Sequence, residues 1–446
     1  MTKPYGLIIA APASGSGKTI LTLGLLRALR NHGTNVAGAK AGPDYIDPEF
    51  HAAASGQTAF NLDTWAMRHE TISRLLQISA QTADLLIVEG VMGLFDGIHL
   101  PERPDAGSTA DLAAITGWPV VLVVDAGKQA ASVGALVSGF ARQRTDVRVA
   151  GVIFNRVASD AHATVLHAAS RAAAPEVQVL GTVARDSVLT LPERHLGLVH
   201  AGELGELERF IETAAVTVTQ RVDIEALESL AKPYISEPKS MSSKTTLSPI
   251  GQRIAVARDR AFAFSYPATL DGWTALGAEI IPFSPLENEA PDTRADAIYL
   301  PGGYPELYAG NLAGADRFLS GLRDAASRGK TIYGECGGYM ALGRGLVDAD
   351  GVRHAMAGLL PVETSFATRR LHLGYRVAQL HETGPLGPAG CHFRGHEFHY
   401  ATMAGEQSRS PLFRVEDPRG AYLGAYGAVA GTVSGSFIHL IDRAVA

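Results

Sequence analysis

Short apolar runs rich in β-branched residues recur along the first half of the chain, at residues 7–10, 85–88, 120–124 and 149–154. Each ends at glycine or a polar residue, or runs into a turn. Longer stretches between them, such as 20–30 and 131–142, read as helices. Buried strands alternating with helices predict a parallel sheet covered on both faces. The pattern fades after Val222. Residues 237–252 are rich in Ser, Thr, Pro and Lys, which is linker composition. A new strand pattern opens at 254–257 and continues at 297–300 and 331–333. The expectation is an α/β chain of two domains, 1–236 and 253–446, joined by a linker over 237–252.

A length of 446 residues agrees with two or three cores, and 46% hydrophobic with 19% charged residues is ordinary globular composition. The net charge of −6 leaves no broad basic field for nucleic acid. Cys336 and Cys391 are the two cysteines, too few for a disulfide framework. The N-terminus has no long apolar signal region, and no run approaches the roughly 18 apolar residues of a membrane span. A soluble, cytoplasmic protein without nucleic-acid or membrane partners is expected.

Residues 11–19, Ala-Pro-Ala-Ser-Gly-Ser-Gly-Lys-Thr, lie between an apolar strand and an apolar helix. In such a loop, Ser14, Gly15, Ser16 and Gly17 turn backbone N–H groups toward phosphate oxygens, and the helix dipole adds to them. Lys18 would reach the β- and γ-phosphates of ATP, and the Thr19 hydroxyl would ligate Mg²⁺. Pro12 stands where the usual pattern has its first glycine. Lys40, Asp44 and Asp47 occupy a short loop after the second strand, and Glu89 ends a third. Open parallel sheets bind ligands at these strand ends. Asp44 and Glu89 are the expected Mg²⁺ ligands with Thr19, because Mg²⁺ prefers carboxylate and phosphate oxygens. Asp47 and Asp96 are candidates for orienting a substrate or a lysine.

In residues 331–340, a strand runs into a cysteine flanked by Gly334, Gly337 and Gly338 and then into a helical segment. Small neighbours permit the strained turn of a nucleophile elbow, and a helix N-terminus after it favours thiolate. Cys336 is therefore the expected nucleophile. A thiolate attacking an amide needs N–H donors for the oxyanion, and Gly303 in the Pro-Gly-Gly-Tyr turn is the candidate. His439 is the preferred general base, with His396 and His399 as rivals. Cys391 lacks an elbow and reads as a packing residue. His392, His396 and His399 lie close in sequence, but without cysteine partners at ligand spacing they do not read as zinc ligands.

Taken together, the two halves resemble the cobyrinic or hydrogenobyrinic acid a,c-diamide synthases of cobalamin biosynthesis over nearly the full length. The likeness is carried by residues 40–48 (Lys-Ala-Gly-Pro-Asp-Tyr-Ile-Asp-Pro), 88–97 (Val-Glu-Gly-Val-Met-Gly-Leu-Phe-Asp-Gly) and 191–198 (Leu-Pro-Glu-Arg-His-Leu-Gly-Leu). Residues 334–339 (Gly-Glu-Cys-Gly-Gly-Tyr) and 394–400 (Arg-Gly-His-Glu-Phe-His-Tyr) add to it. The first domain is similar to dethiobiotin synthetase, the second to class I glutamine amidotransferases. The resemblance implies a carbon–nitrogen ligase that hydrolyses glutamine at Cys336 and amidates an acyl phosphate made with MgATP.

It further implies substrate, acyl-phosphate or metal roles for Lys40, Asp44, Tyr45, Ile46, Asp47, Glu89 and Asp96, with Arg194 and His195 framing the tetrapyrrole. A homodimer is expected, since dethiobiotin-synthetase-like domains often pair. Class I enzymes usually carry His-x-Glu, whereas here position 441 is Ile and Asp442 follows one residue later. A Cys–His dyad is the corresponding expectation. The alternatives are amidation of a related macrocycle, as in cobyric acid or nickel-sirohydrochlorin enzymes, and a partitioning-type ATPase switch. The second has no use for the residues after 254.

Overall fold

The computed structural model describes residues 4–185, 204–234, 247–404 and 410–444. Arg194, His195 and the rest of 191–198 lie outside these residues, as does the part of the expected linker up to 246. The chain divides into two compact units, one comprising Met1–Trp65 and His69–Ser242, the other Ala66–Arg68 and Ser243–Ala446.

The first unit is built on an eight-stranded sheet. Seven strands run parallel in the spatial order Phe60–Leu62, Val36–Ala41, Leu85–Glu89, Tyr5–Ala10, Val120–Asp125, Val149–Val157, Gln178–Ala184. Lys232–Pro233 adds an antiparallel pair at the start of Tyr5–Ala10. The chain lays three strands on one side of Tyr5–Ala10 and then, from Val120–Asp125, crosses to the other, so the carboxyl end of Tyr5–Ala10 lies at a switch point, where open α/β sheets leave a crevice. All the strand residues of Val36–Ala41 and Leu85–Glu89 are buried, as apolar runs without alternation require.

Helix Lys18–Asn31 buries Leu21, Leu25 and Leu29, spaced by four, together with Ile211 and Val218 of helix Leu204–Arg221. The two helices approach closely at Gly24, where an added methyl would meet the Ala214 carbonyl oxygen at 2.8 Å. Arg27, 3% exposed, is held by the carbonyls of Ala53 and Ala54 and by Glu208 and Glu212. These contacts clamp the helix that carries Lys18 and Thr19 at its first turn.

The second unit has a six-stranded sheet in the order Glu279–Phe283, Arg253–Ala257, Ala297–Leu300, Thr331–Glu335, Val433–Ser436, Ala428–Ala430, with only the last strand antiparallel. Beside it lies a five-stranded antiparallel sheet containing His372–Leu380, His392–His399 and Ile438–Arg443. Leu247 and Ile250, inside the stretch expected to be linker, are buried with Trp273 and Phe413. Two apolar anchors among serines and prolines do not move a compositional average, yet they suffice to fix residues 247–252 to this core.

Candidate active sites

The phosphate loop of the first unit follows strand Tyr5–Ala10 and delivers its last two motif residues to helix Lys18–Asn31. Gly15 and Gly17 have φ of 77° and 92°, the left-handed region that a side chain resists. At Gly17 a methyl would also strike Asn155 Nδ2 at 2.3 Å, and that amide donates to the Ser16 carbonyl at 2.9 Å. The Ser16 hydroxyl closes the loop on the Ala13 carbonyl at 2.9 Å. Next to Pro12, Leu94 N–H, from the loop after Leu85–Glu89, donates to the Ala11 carbonyl at 2.8 Å.

Ser14, Gly15, Gly17, Lys18 and Thr19 line one cavity of about 1500 Å³ together with Lys40, Asp44 and Glu89. Lys40 belongs to the end of strand Val36–Ala41, and Ile46 and Asp47 to the first turn of helix Ile46–Ser55. The expected loop is therefore only residues 42–45. Asp44 closes the turn that leads into that helix, its Oδ1 accepting from Ile46 N–H at 2.7 Å and Asp47 N–H at 3.3 Å. Tyr45 precedes the helix, and Ile46 leans on the apolar core. Asp96 accepts from Gly93 N–H at 2.9 Å and so braces its own loop.

Glu89, 1% exposed, is the hub. Its Oε1 accepts from the Thr19 hydroxyl at 2.6 Å and Lys40 Nζ at 2.9 Å, and its Oε2 accepts from His51 Nε2 at 2.8 Å. Lys40 also pairs with Asp47. Burial works to raise the Glu89 carboxyl, but Lys40, His51 and Thr19 outweigh it and hold the group well below the usual carboxylate range. Burial likewise works to lower Lys40, and Glu89 and Asp47 outweigh that. Asp47 is pushed up to about 6 by burial and by Glu89. Lys18 is lowered by burial and by Lys40, and its Nζ donates to the Met92 carbonyl at 2.6 Å. The donors Thr19, Glu89 and Asp44 offer only oxygen, the chemistry a hard divalent ion takes.

His51, Asp125, Asn155 and Arg156 were not among the residues expected here. The last three line the cavity, and Arg156, at φ 59°, pairs with Asp125. Polar residues at the ends of strands Val120–Asp125 and Val149–Val157 were the available signal. His51 lies one helical turn after Asp47 in an apolar stretch, which is the same kind of signal.

In the second unit, Cys336 follows strand Thr331–Glu335 at φ 46°, ψ −102°, a conformation that costs a non-glycine residue energy and marks an elbow. The glycines have separate reasons. A methyl at Gly338 would strike the Leu300 carbonyl oxygen at 2.0 Å, and one at Gly334 the Gly338 carbonyl carbon at 2.7 Å. A methyl at Gly337 would come within 3.0 Å of Gly303 N, so the Pro-Gly-Gly turn lies directly against the elbow. That turn also abuts His439, whose Cε1 would be 2.3 Å from a methyl at Gly302. Cys336 N–H donates to the Ser436 carbonyl at 2.8 Å, three residues before His439. Cys336, Gly303 and His439 thus meet at one place.

Of the two rivals, His396 stands opposite His439 across the antiparallel strands, its ring edge-on to Tyr375 at 5.5 Å. His399 stacks on Phe437 at 3.8 Å, and its two ring nitrogens face the Ala401 carbonyl and Glu397 Oε1, each at 3.0 Å. With one nitrogen turned to each of these oxygens, neither is directed at the thiol. His372, Glu397 and His399 cluster at metal-ligand separation, but Glu397 Oε2 accepts from Arg376 Nε at 2.7 Å and His399 is committed as described. Asp442, 0% exposed, is taken by Arg68, with Nη2–Oδ1 2.6 Å and Nε–Oδ2 3.1 Å. Cys391 packs against the core around Phe393.

One electrostatic expectation is reversed. Burial pushes the Cys336 thiol up, aided by Glu306, and the backbone N–H of Gly337 only partly opposes it. Helix Gly337–Leu342 has six residues, too short for a strong dipole. The Sγ–H faces the Phe398 carbonyl at 3.7 Å. Burial also pushes His439 down, to about 3, with His396 and His399 adding to the effect. The resting pair is a neutral thiol beside a neutral imidazole.

Comparison with known proteins agrees with this division. Residues 7–199 match the CobQ/CobB/MinD/ParA nucleotide binding domain, and residues 253–444 the CobB/CobQ-like glutamine amidotransferase domain. A hydrogenobyrinate a,c-diamide synthase of Brucella anthropi is 53% identical over 441 residues, 98% of each chain. One of Rhizobium meliloti is 53% identical over 438 residues, covering 98% of this chain and 99% of that one. A third, of Rhodobacter capsulatus, is 51% identical with the same coverage. The chain belongs to the hydrogenobyrinate a,c-diamide synthase family. As a family member it joins a nucleotide-binding P-loop unit to a glutamine amidotransferase unit, and both units are α/β folds. No helix among the described residues is long and apolar enough to cross a membrane.

Proposed function

We propose that this chain amidates the a and c acetate side chains of hydrogenobyrinate, using ATP and ammonia released from glutamine. The observation that carries the reading is that one chain holds both a P-loop cluster around Lys18 and Glu89 and a thiol cluster around Cys336 and His439, alongside full-length relatives of that name. At Cys336, His439 removes the thiol proton and the sulfur attacks the glutamine amide. Gly303 N–H receives the oxyanion, ammonia leaves, and water releases glutamate from the thioester. In the P-loop unit, a side-chain carboxylate attacks the γ-phosphate of ATP to give an acyl phosphate and ADP. Ammonia then displaces phosphate and leaves the amide.

The P-loop backbone from Ser14 to Gly17 and Lys18 would hold the triphosphate. Thr19 and Glu89 would hold Mg²⁺, with Asp44 opening on the same cavity, and the ion would neutralise developing phosphate charge. Lys40, fixed by Glu89 and Asp47, supplies a permanent positive charge beside the phosphates. Tyr45 and Ile46 follow Asp44 directly, and the charge of Asp96 acts on Lys18; we assign the three to the macrocycle side. Pairing of two chains belongs to this reading, and light scattering of the purified protein decides it.

The deciding experiment replaces Cys336 with Ser and follows amidated products by mass spectrometry, with metal-free and cobalt-loaded acids as substrates. Glutamine-dependent synthesis is expected to fall by about a thousandfold or more while ammonia-dependent synthesis persists. Loss of both in a folded variant, or no product with either macrocycle, sinks the reading.

A further inference from the structure

The usual carboxylate of a Cys–His–Glu triad has no counterpart after His439, since Ile441 occupies its position and Asp442 is taken by Arg68. A different carboxylate nevertheless lies beside the imidazole. Glu335 Oε2 is 3.9 Å from His439 Nδ1, and the two residues are 4% and 1% exposed. Glu335 is the last residue of strand Thr331–Glu335, immediately before the nucleophile. We propose that Glu335 is the positioning carboxylate of the glutaminase site, completing with Cys336 and His439 a triad in which the acid comes from the nucleophile's own strand. The proposal rests on the glutamine-hydrolysing role assigned above to Cys336 and His439.

The surroundings of Glu335 explain why it is there. Side chains two apart on a strand share a face, so Tyr333 and Glu335 point the same way. Tyr299 pairs with Tyr333 across the parallel sheet, and the two rings stack at 6.0 Å. Tyr299 Oη–H donates to Oε2 at 2.8 Å, Tyr333 Oη–H to Oε1 at 3.0 Å, and Leu440 N–H to Oε1 at 3.2 Å. These three donors are neutral, and they come from three different strands. They anchor the carboxylate without cancelling its charge, and Leu440 ties it to the residue next to His439.

Among the described residues, the ion-pair partner of Glu335 is His439 alone. A buried carboxylate with neutral donors and no standing cation is costly to keep. It becomes useful when a cation appears beside it, and that occurs in one step of the reaction. When His439 takes the proton from Cys336 Sγ, the imidazole turns positive at the moment the sulfur attacks. Glu335 then faces an imidazolium, favouring it and holding the ring in the orientation that returns the proton to departing ammonia. Glu335 touches neither glutamine nor sulfur in this account. It acts through His439, as the buried acid of a serine-protease triad acts through its histidine.

The test is steady-state glutamine hydrolysis by the full chain carrying E335Q or E335D. E335Q is expected to lower kcat about 10- to 100-fold at a KM for glutamine within about twofold of the parent, since the amide keeps the shape and removes the charge. E335D keeps the charge at shorter reach and is expected to fall between E335Q and the parent. A merely structural glutamate predicts the opposite order, because aspartate leaves a void that glutamine fills. An E335Q enzyme with parental kcat, or an E335D enzyme no better than E335Q, overturns the proposal. Should E335Q fail to fold, E335D decides alone through the pH profile of kcat: a profile displaced from the parent's at unchanged KM supports the role, and the parental profile removes it. C336S is run beside them. If C336S still hydrolyses glutamine, the reading of Cys336 itself has failed, which is distinguishable from failure at Glu335.

Discussion

The phosphate crevice and the thiol site both bury ionisable groups, and they treat the charge on them in opposite ways. In the crevice, Glu89, Lys40, Asp47 and His51 lie within one hydrogen-bonded cluster, so burial is outweighed by attraction and Glu89 and Lys40 stay ionised. Around Cys336, Glu335 and His439, the partners are phenols, backbone amides and one another, so burial wins. Thiol and carboxyl are pushed up and the imidazole down. The chemistry of each half asks for its arrangement. A triphosphate needs charge present before it binds, and the acyl phosphate formed from it is held by the same charge. A cysteine nucleophile paired with a base needs charge only once substrate is in place, and a neutral resting pair is protected from side reactions.

The sharpest way to break this contrast is Glu89→Gln. It leaves Lys40 and Asp47 without the hub and is expected to cost roughly 3–5 kcal/mol of stability, as removal of one partner from a buried pair does. Synthesis should fall at least about a hundredfold with glutamine and ammonia alike. Measuring both nitrogen sources side by side checks it, and loss confined to glutamine would place Glu89 in the wrong half of the reaction.

Gly302→Ala probes the other region through geometry alone. The new methyl would overlap the His439 ring, and a misplaced base should lower glutamine hydrolysis by about a hundredfold. Ammonia-dependent synthesis should be retained within about twofold, since no P-loop residue is touched. Equal loss of both activities would contradict the separation of the two sites.

A smaller effect concerns pH. Burial raises the Glu335 carboxyl from 4.5 to about 7. The folded chain therefore holds this proton more tightly than the unfolded chain does. The stability it contributes is complete below pH 4.5 and is lost as pH rises through 7. Replacing Glu335 with Gln removes that loss. E335Q is expected to melt above the parent at pH 8, by an amount equivalent to about 2–3 kcal/mol, with little difference at pH 4.5. Thermal melts at the two pH values check this, and a variant that melts lower than the parent at pH 8 would show that the carboxylate is compensated after all.

Much of the architecture was legible along the chain because its signals are local. Helix Lys18–Asn31 and strand Thr331–Glu335 are announced by apolar runs beside glycines that the backbone needs at positive φ or close approach. Lys40, Asp44 and Glu89 could be placed at strand ends from the same pattern. His51 was missed because a histidine among alanines in a helix usually means packing, and only its 2.8 Å contact with Glu89 shows otherwise. Leu247 and Ile250 were absorbed into a linker because two anchors do not change the composition of a stretch. Asp442 was the nearest acid to His439 in sequence, yet strand pairing and Arg68 direct it elsewhere.

The Glu335–Cys336 pair shows where that boundary falls. Order and spacing of residues determined a P-loop, an elbow cysteine and a family, because turns, caps and glycine requirements depend on neighbours a few positions away. Only the tertiary structure decided which acid faces His439 and which groups rest charged. Those properties depend on burial and on partners brought together from distant strands: Glu335 meets a histidine 104 positions away, across a distance that no local pattern encodes.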